Sequence, residues 1–130
     1  MSQRIIKFRA WDKIEKKYAH ERLVSCVMIN AIEHNQTNLI LNQDQFIWEQ
    51  FTGFYDKNGV EIYENDIIEC TDITMEGQDH TYSGVVCFAN GWWAIESFVI
   101  DGYPSCFIPF GTNDLPLILG NKFENPELIK

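Results

Sequence analysis

Two apolar runs rich in aromatic and β-branched residues flank Asn58-Gly59 within the stretch from Phe51 to Glu69. Asparagine and glycine accept the positive φ angles of a tight hairpin loop, so this stretch predicts a β-hairpin. A two-residue loop would set Asp56 opposite Glu61, a like-charge pair that costs stability. A three-residue loop, Lys57-Asn58-Gly59 with Gly59 as the left-handed bulge residue, instead pairs Asp56 with Val60 and Phe54 with Ile62, and is the expected form.

A second hairpin signal runs from Gly84 through Asn90-Gly91 to Phe98. A two-residue loop at Asn90-Gly91 pairs Phe88 with Trp93 and Val86 with Ile95, and predicts a core face made of these four. The opposite face carries Cys87, Ala89, Trp92, Ala94 and Glu96, so Trp92 is expected to be less buried than Trp93. Asn58, Gly59, Asn90 and Gly91 are thus the structural turn residues.

The turn Tyr63-Glu64-Asn65-Asp66 leads into Ile67-Ile68-Glu69-Cys70, a strand apolar on both faces at its start and of a kind common in SH3-like barrels. From Phe51 to Ile67 the residues Phe-Thr-Gly, Asp-Lys-Asn-Gly, Glu-Ile-Tyr-Glu-Asn-Asp-Ile resemble the signature of the YopX family of small phage and prophage proteins. Ile6–Lys13 resembles that family's opening, and Leu119–Leu128 its closing segment. Asn65 stands where the family usually has glycine, but asparagine tolerates the left-handed region best among other residues. Lys122-Phe123 replaces an aliphatic-aromatic pair.

The resemblance spans essentially the whole chain. It implies a mainly-β fold of several short, twisted antiparallel sheets including an SH3-like barrel, with a very short C-terminal helix. It also implies one domain over residues 1–130, with the barrel-like part around 50–120. It carries no biochemical role.

Along the rest of the chain, Arg4–Trp11 alternates as a strand exposed on one side, with Ile6, Phe8 and Ala10 facing opposite Lys7, Arg9 and Trp11. Asp12 to Lys17 is a charged turn. Over residues 22–32, helical spacing joins Val24, Met28 and Ile32, while the β-branched content favours a strand; strand is the expectation, supported by the resemblance. A polar connection at 34–38, a buried strand at Leu39-Ile40-Leu41 and a turn at 42–44 precede a strand from Phe46 to Tyr55. Residues 71–82 read as a solvated loop. Turns at 101–105 and 111–114 bracket Cys106–Phe110, a short edge strand because Pro109 cannot donate to a ladder. Leu115–Leu119 is the last strand, and Asn125-Pro126-Glu127 starts the terminal helix.

The formal net charge of −9, with a pI near 4.6, disfavours a surface that tracks phosphates. Cys26, Cys70, Cys87 and Cys106 form no Cys-x-x-Cys pair and lie at no zinc-ligand spacing to His20, His34 or His80, which read as surface residues. Glu61, Glu64, Asp66, Glu69 and Asp72 read as an outer strand face and turn rather than a metal or catalytic site. There is no serine elbow, and Gly53, Gly59, Gly84 and Gly91 are spaced like hairpin punctuation rather than a phosphate-cradling loop, so no catalytic, cofactor or metal residues are assigned. Without a signal peptide or a membrane-length apolar run, the expectation is a cytoplasmic protein with reduced thiols, in the bacterial host if phage-encoded.

The remaining lead is aromatic. Trp11, Trp48, Tyr63 and Trp92 are candidates for a contact surface, with Trp92 foremost and Trp11 and Tyr63 beside it. The functional expectation is a non-enzymatic phage or prophage accessory protein that binds a protein partner or itself. Two alternatives are a nucleic-acid-binding barrel, with Trp11 stacking a base beside Arg4, Lys7 and Arg9, and an acidic mimic of DNA that occupies a host DNA-binding protein.

Overall fold

The computed structural model describes residues 5–25, 45–73, 77, 79–89, 91–97, 107–109 and 116–129. The fold is mainly β. Its strands are β1 (Phe8–Asp12), β2 (Lys17–Tyr18), β3 (Phe46–Tyr55), β4 (Glu61–Tyr63), β5 (Asp66–Ile73), β6 (Asp79–Ala89), β7 (Trp92–Ser97), β8 (Phe107–Pro109) and β9 (Leu117–Asn121), followed by a 3-10 turn at Pro126–Leu128. They form a four-stranded antiparallel sheet of order β2-β1-β3-β4 and a five-stranded one of order β8-β7-β6-β5-β9, curled as a half-barrel. By compactness the chain divides into two units, Met1–Phe51 and Thr52–Lys130, so β3 begins in the first and ends in the second.

In the first unit, β1 pairs with β3 so that Arg9 faces Glu49, and with β2 so that Trp11 faces Tyr18. The face of β1 that carries Arg9 and Trp11, expected to be the solvent side, is covered: Trp11 is buried and Glu49 has no exposed surface. The other face is covered as well at Ala10 and Asp12. Asp12 closes the β1–β2 turn, its carboxylate accepting the backbone N–H groups of Ile14 and Glu15.

Residues 21–25 are helical, which corrects the strand expectation over the described part of 22–32. His20 caps this helix, its backbone carbonyl accepting from Val24 and its Nδ1 from the Arg22 N–H at 3.1 Å. Val24 is the one β-branched residue in this segment, and Glu21, Arg22 and Leu23 are good helix formers. Residues 26–32, the connection at 34–38, the Leu39–Leu41 strand, the turn at 42–44, and the turns at 101–105 and 111–114 lie outside the described residues.

The second unit is built on an aliphatic cluster of Ile62, Ile68, Val86 and Ile95, one from each of β4 to β7, against which Cys70, Tyr82, Trp93 and Ile118 pack. The β3–β4 loop takes the three-residue form: the Asp56 N–H donates to the Val60 carbonyl, the Gly59 N–H to the Asp56 carbonyl, and Gly59 has φ +79°. The β6–β7 register pairs Phe88 with Trp93 and Val86 with Ile95, as expected. Gly91 has φ +86° in that hairpin's turn; Asn90 lies outside the described residues.

Three corrections concern this unit. The loop expected at 71–82 is largely strand, because β5 and β6 extend as a polar ribbon as far as the Ile73–Asp79 pair. Backbone ladder bonds and pairs such as Thr71 with Thr81, whose hydroxyls lie 3.3 Å apart, hold it without an apolar face. Phe88, expected in the core, is 54 % exposed, because the hairpin reaches past the cluster that covers Val86 and Ile95. Gly84 is not turn punctuation but a buried residue inside β6, where a Cβ would lie 2.4 Å from both the Glu96 carbonyl oxygen and Ile95 Cγ2. The bare glycine lets Ile95 reach the cluster.

β8 is an edge strand containing Pro109, as its proline requires. At the opposite edge, β9 pairs with β5 through a bulge at Ile67/Ile68, both fully buried.

Candidate functional site

The polar residues of the signature segments are the natural candidates for chemistry. Asp56 is buried, and its carboxylate accepts the backbone N–H groups of Asn58 (2.8 Å), Val60 (2.9 Å) and Ile118 (3.3 Å). Burial pushes this carboxyl up, but the three N–H donors outweigh it and hold the group below its ordinary value. Asp66, read from sequence as part of a solvated face, is 2 % exposed and accepts the Tyr63 N–H at 2.8 Å. Asn65 takes φ +67°, donates its N–H to the Val86 carbonyl and accepts from the Lys122 N–H.

In the closing segment, Asn121 Oδ1 accepts from the N–H groups of Phe123 and Glu124, while its own N–H donates to Asn125 Oδ1. Asn125 occupies the N-cap position of the 3-10 turn, with Pro126 at its start, yet its side chain makes no cap bond there. It reaches back to Asn121 instead, so close to Gly120 that a Cβ on that glycine would overlap it. These carboxylates and amides are committed to closing turns. The signature is therefore a signature of architecture.

The first unit holds an ion pair whose acid, Glu49, is fully buried. Arg9 Nε and the Tyr18 hydroxyl each donate to Glu49 Oε1 at 2.8 Å. The Arg9 guanidinium also lies over the Tyr18 ring, 4.4 Å from its centroid, and Trp11 meets Tyr18 edge-on at 5.0 Å. Sequence reading missed Glu49, forty residues from Arg9 and without a local motif.

Of the predicted contact aromatics, Trp11 and Tyr63 are only 6 % and 7 % exposed; they belong to the interior, and their expected exposure is corrected. Trp48 is half-buried. Trp92 stands at the tip of the β6–β7 hairpin, 53 % exposed, while its neighbour Trp93 packs on the aliphatic cluster. Phe88 emerges on the other face of the same tip, its ring edge-on to Trp93 at 5.1 Å. Bulky aromatic surface on both faces of one hairpin end is the site that the structure assembles. Of the predicted contact aromatics Trp11, Trp48, Tyr63 and Trp92, Trp92 alone is exposed, and its companion Phe88 comes from the set expected in the core.

Around this tip the titratable groups are acidic. Burial first, then the fields of Glu96 and Glu64, push the Cys87 thiol above its ordinary value, the opposite of nucleophile activation. Cys70 and Cys87 are both free thiols. Cys26 and Cys106 lie outside the described residues, as do His34 and the side chain of His80. Among the described residues no three His, Cys, Asp or Glu side chains gather as a metal site, and no helix is long and apolar enough to cross a membrane.

Comparison with known proteins agrees with this architecture. A family model described as YopX protein matches residues 7–130. The crystal structure of protein EF1440 from Enterococcus faecalis is similar over 97 % of this chain and 99 % of its own, with a TM-score of 0.55 and 23 % identity. That likeness is one of fold. No curated protein matches the chain.

Proposed function

This chain belongs to the YopX family, and from that premise we propose that it is a phage or prophage accessory protein, acting in the host cytoplasm by binding a protein rather than by catalysis. The observation that carries the reading is the aromatic tip of the β6–β7 hairpin. Trp92 and Phe88 keep about half their surface in water on a unit that has an aliphatic core in which to bury such side chains. Exposed large aromatics of this kind anchor protein interfaces, where a few of them supply most of the binding energy. The partner is a foreign protein or a second copy of the chain.

The nucleic-acid alternative loses support. Trp11, its stacking residue, is buried, and Arg9, one of its three candidate phosphate contacts, is engaged with Glu49. The test is capture from lysate of infected host cells with and without nuclease treatment, comparing the unaltered chain with Trp92→Ala. A protein retained by the first and lost by the second, with equal melting temperatures, is the expected result. Recovery of nuclease-sensitive nucleic acid alone would overturn the reading.

A further inference from the structure

Charge is divided very unevenly along the chain. From residue 58 to residue 121 there is no Lys or Arg, against ten Asp or Glu. The unit Thr52–Lys130 holds 13 acidic and three basic residues, a formal charge of −10, whereas Met1–Phe51 holds six and seven, a formal charge of +1. The β6–β7 hairpin lies wholly within the stretch that has no cation. Its own flank bears Glu96, which is exposed and paired in register with Val85.

We propose, on the premise that this hairpin is the docking element, that its partner is a protein with a basic face containing an apolar recess, which takes the Trp92 indole while Lys or Arg on its rim meets the surrounding carboxylates. The aromatic tip supplies the short-range energy, and the acidic unit supplies long-range attraction and rejects acidic competitors. The same charge weighs against the other occupants. A second copy docked symmetrically through this hairpin would bring two units of −10 together, and a nucleic acid or an anionic membrane would be repelled. Burial first, and then the fields of Glu96 and Glu64, raise the Cys87 thiol, which places these two carboxylates within electrostatic reach of the hairpin.

The test uses the full chain against a displayed library of random peptides, followed by affinity measurements on synthetic copies of the enriched sequences at low and high salt. The enriched peptides should carry net positive charge, with Lys or Arg flanking apolar residues. Trp92→Ala should weaken them roughly thirtyfold, as loss of a central aromatic anchor does. A Glu64→Gln/Glu96→Gln variant should slow their association and flatten its salt dependence. Unchanged circular dichroism of each variant controls for folding. Neutral or acidic peptides that still depend on Trp92 would overturn the basic partner and leave hairpin docking standing. Basic peptides indifferent to Trp92→Ala, or the absence of any Trp92-dependent peptide, would overturn both. A dimer of the unaltered chain that Trp92→Ala dissolves would replace the basic partner by a second copy.

Discussion

The two units are held together by opposite means. In Met1–Phe51 the buried centre is ionic and aromatic: Glu49 receives Arg9 and Tyr18, and Trp11 packs on Tyr18. In Thr52–Lys130 the centre is aliphatic, and the buried carboxylates Asp56 and Asp66 are spent on backbone N–H groups at turns. The lesson is that a buried acid has two separate uses here. Glu49 is matched by a cation across a sheet; Asp56 and Asp66 in the second unit, like Asp12 at the β1–β2 turn of the first, replace the missing backbone partners of a turn.

Four substitutions can break or sharpen this contrast. Glu49→Ala should have the largest effect, about 4 kcal/mol in urea denaturation, because it removes the shared acceptor of Arg9 and Tyr18 at a fully buried position. Replacing Arg9 and Glu49 together by Met should recover most of that loss, and failure to do so would mean that the pair contributes more than relief of burial. Ile68→Ala should cost about 3 kcal/mol by opening a cavity in the aliphatic cluster. No polar double replacement should rescue it, which is where the units differ.

Gly84→Ala should cost about 2 kcal/mol, since the new methyl meets strand backbone at the Glu96 carbonyl rather than a flexible side-chain end. Wild-type melting would show that β6 and β7 can part without penalty. Asp56→Asn should be the mildest, about 1 kcal/mol at neutral pH, since the amide keeps one acceptor oxygen but turns a donor toward the Ile118 N–H.

Its pH signature is the sharper reading. The folded Asp56 carboxyl titrates below the ordinary value of 3.8, so its contribution is present above that pH and fades as pH falls through the lower folded value. The melting temperature of Asp56→Asn should therefore converge on that of the unaltered chain in this acid window. Parallel pH curves would assign the acid sensitivity elsewhere, with Asp12 in the first unit the next candidate: the Glu15 N–H, against burial and with help from Ile14, Gln45 and Lys17, holds its carboxyl low.

Legibility in the sequence follows the same division. In the second unit the period of two and the turn residues carried far: the Phe88–Trp93 register, the left-handed Gly59 and Asn65, the proline-bearing edge strand and the Trp92/Trp93 separation were all readable. Periodicity does not say how far a hairpin projects beyond its cover, which is why Phe88 was misplaced. In the first unit the alternation of β1 was visible but its buried side was not. Arg9 and Glu49 look like solvated charges until the register brings them opposite each other, and nothing within reach of either residue announces the partner. Asp66 was misread for a related reason, since a carboxylate that closes a turn is spelled like one that faces water. Of the candidate site, Trp92 was legible from the pleat alone, whereas the charge division became informative only once the unit boundary at Phe51/Thr52 was known.

Asn65 has a consequence for the order in which the chain can be finished on the ribosome. Its backbone donates to Val86 and accepts from Lys122, residues made 21 and 57 positions later. The tight turn before β5 therefore stays incomplete through most of translation, and β5 keeps one edge open until β9 has emerged. A nascent chain halted before residue 117 exposes the Ile67-Ile68 strand edge to whatever else is in the cell, and the closing Gly-Asn-x-x-Glu-Asn-Pro segment is the latch that ends that interval.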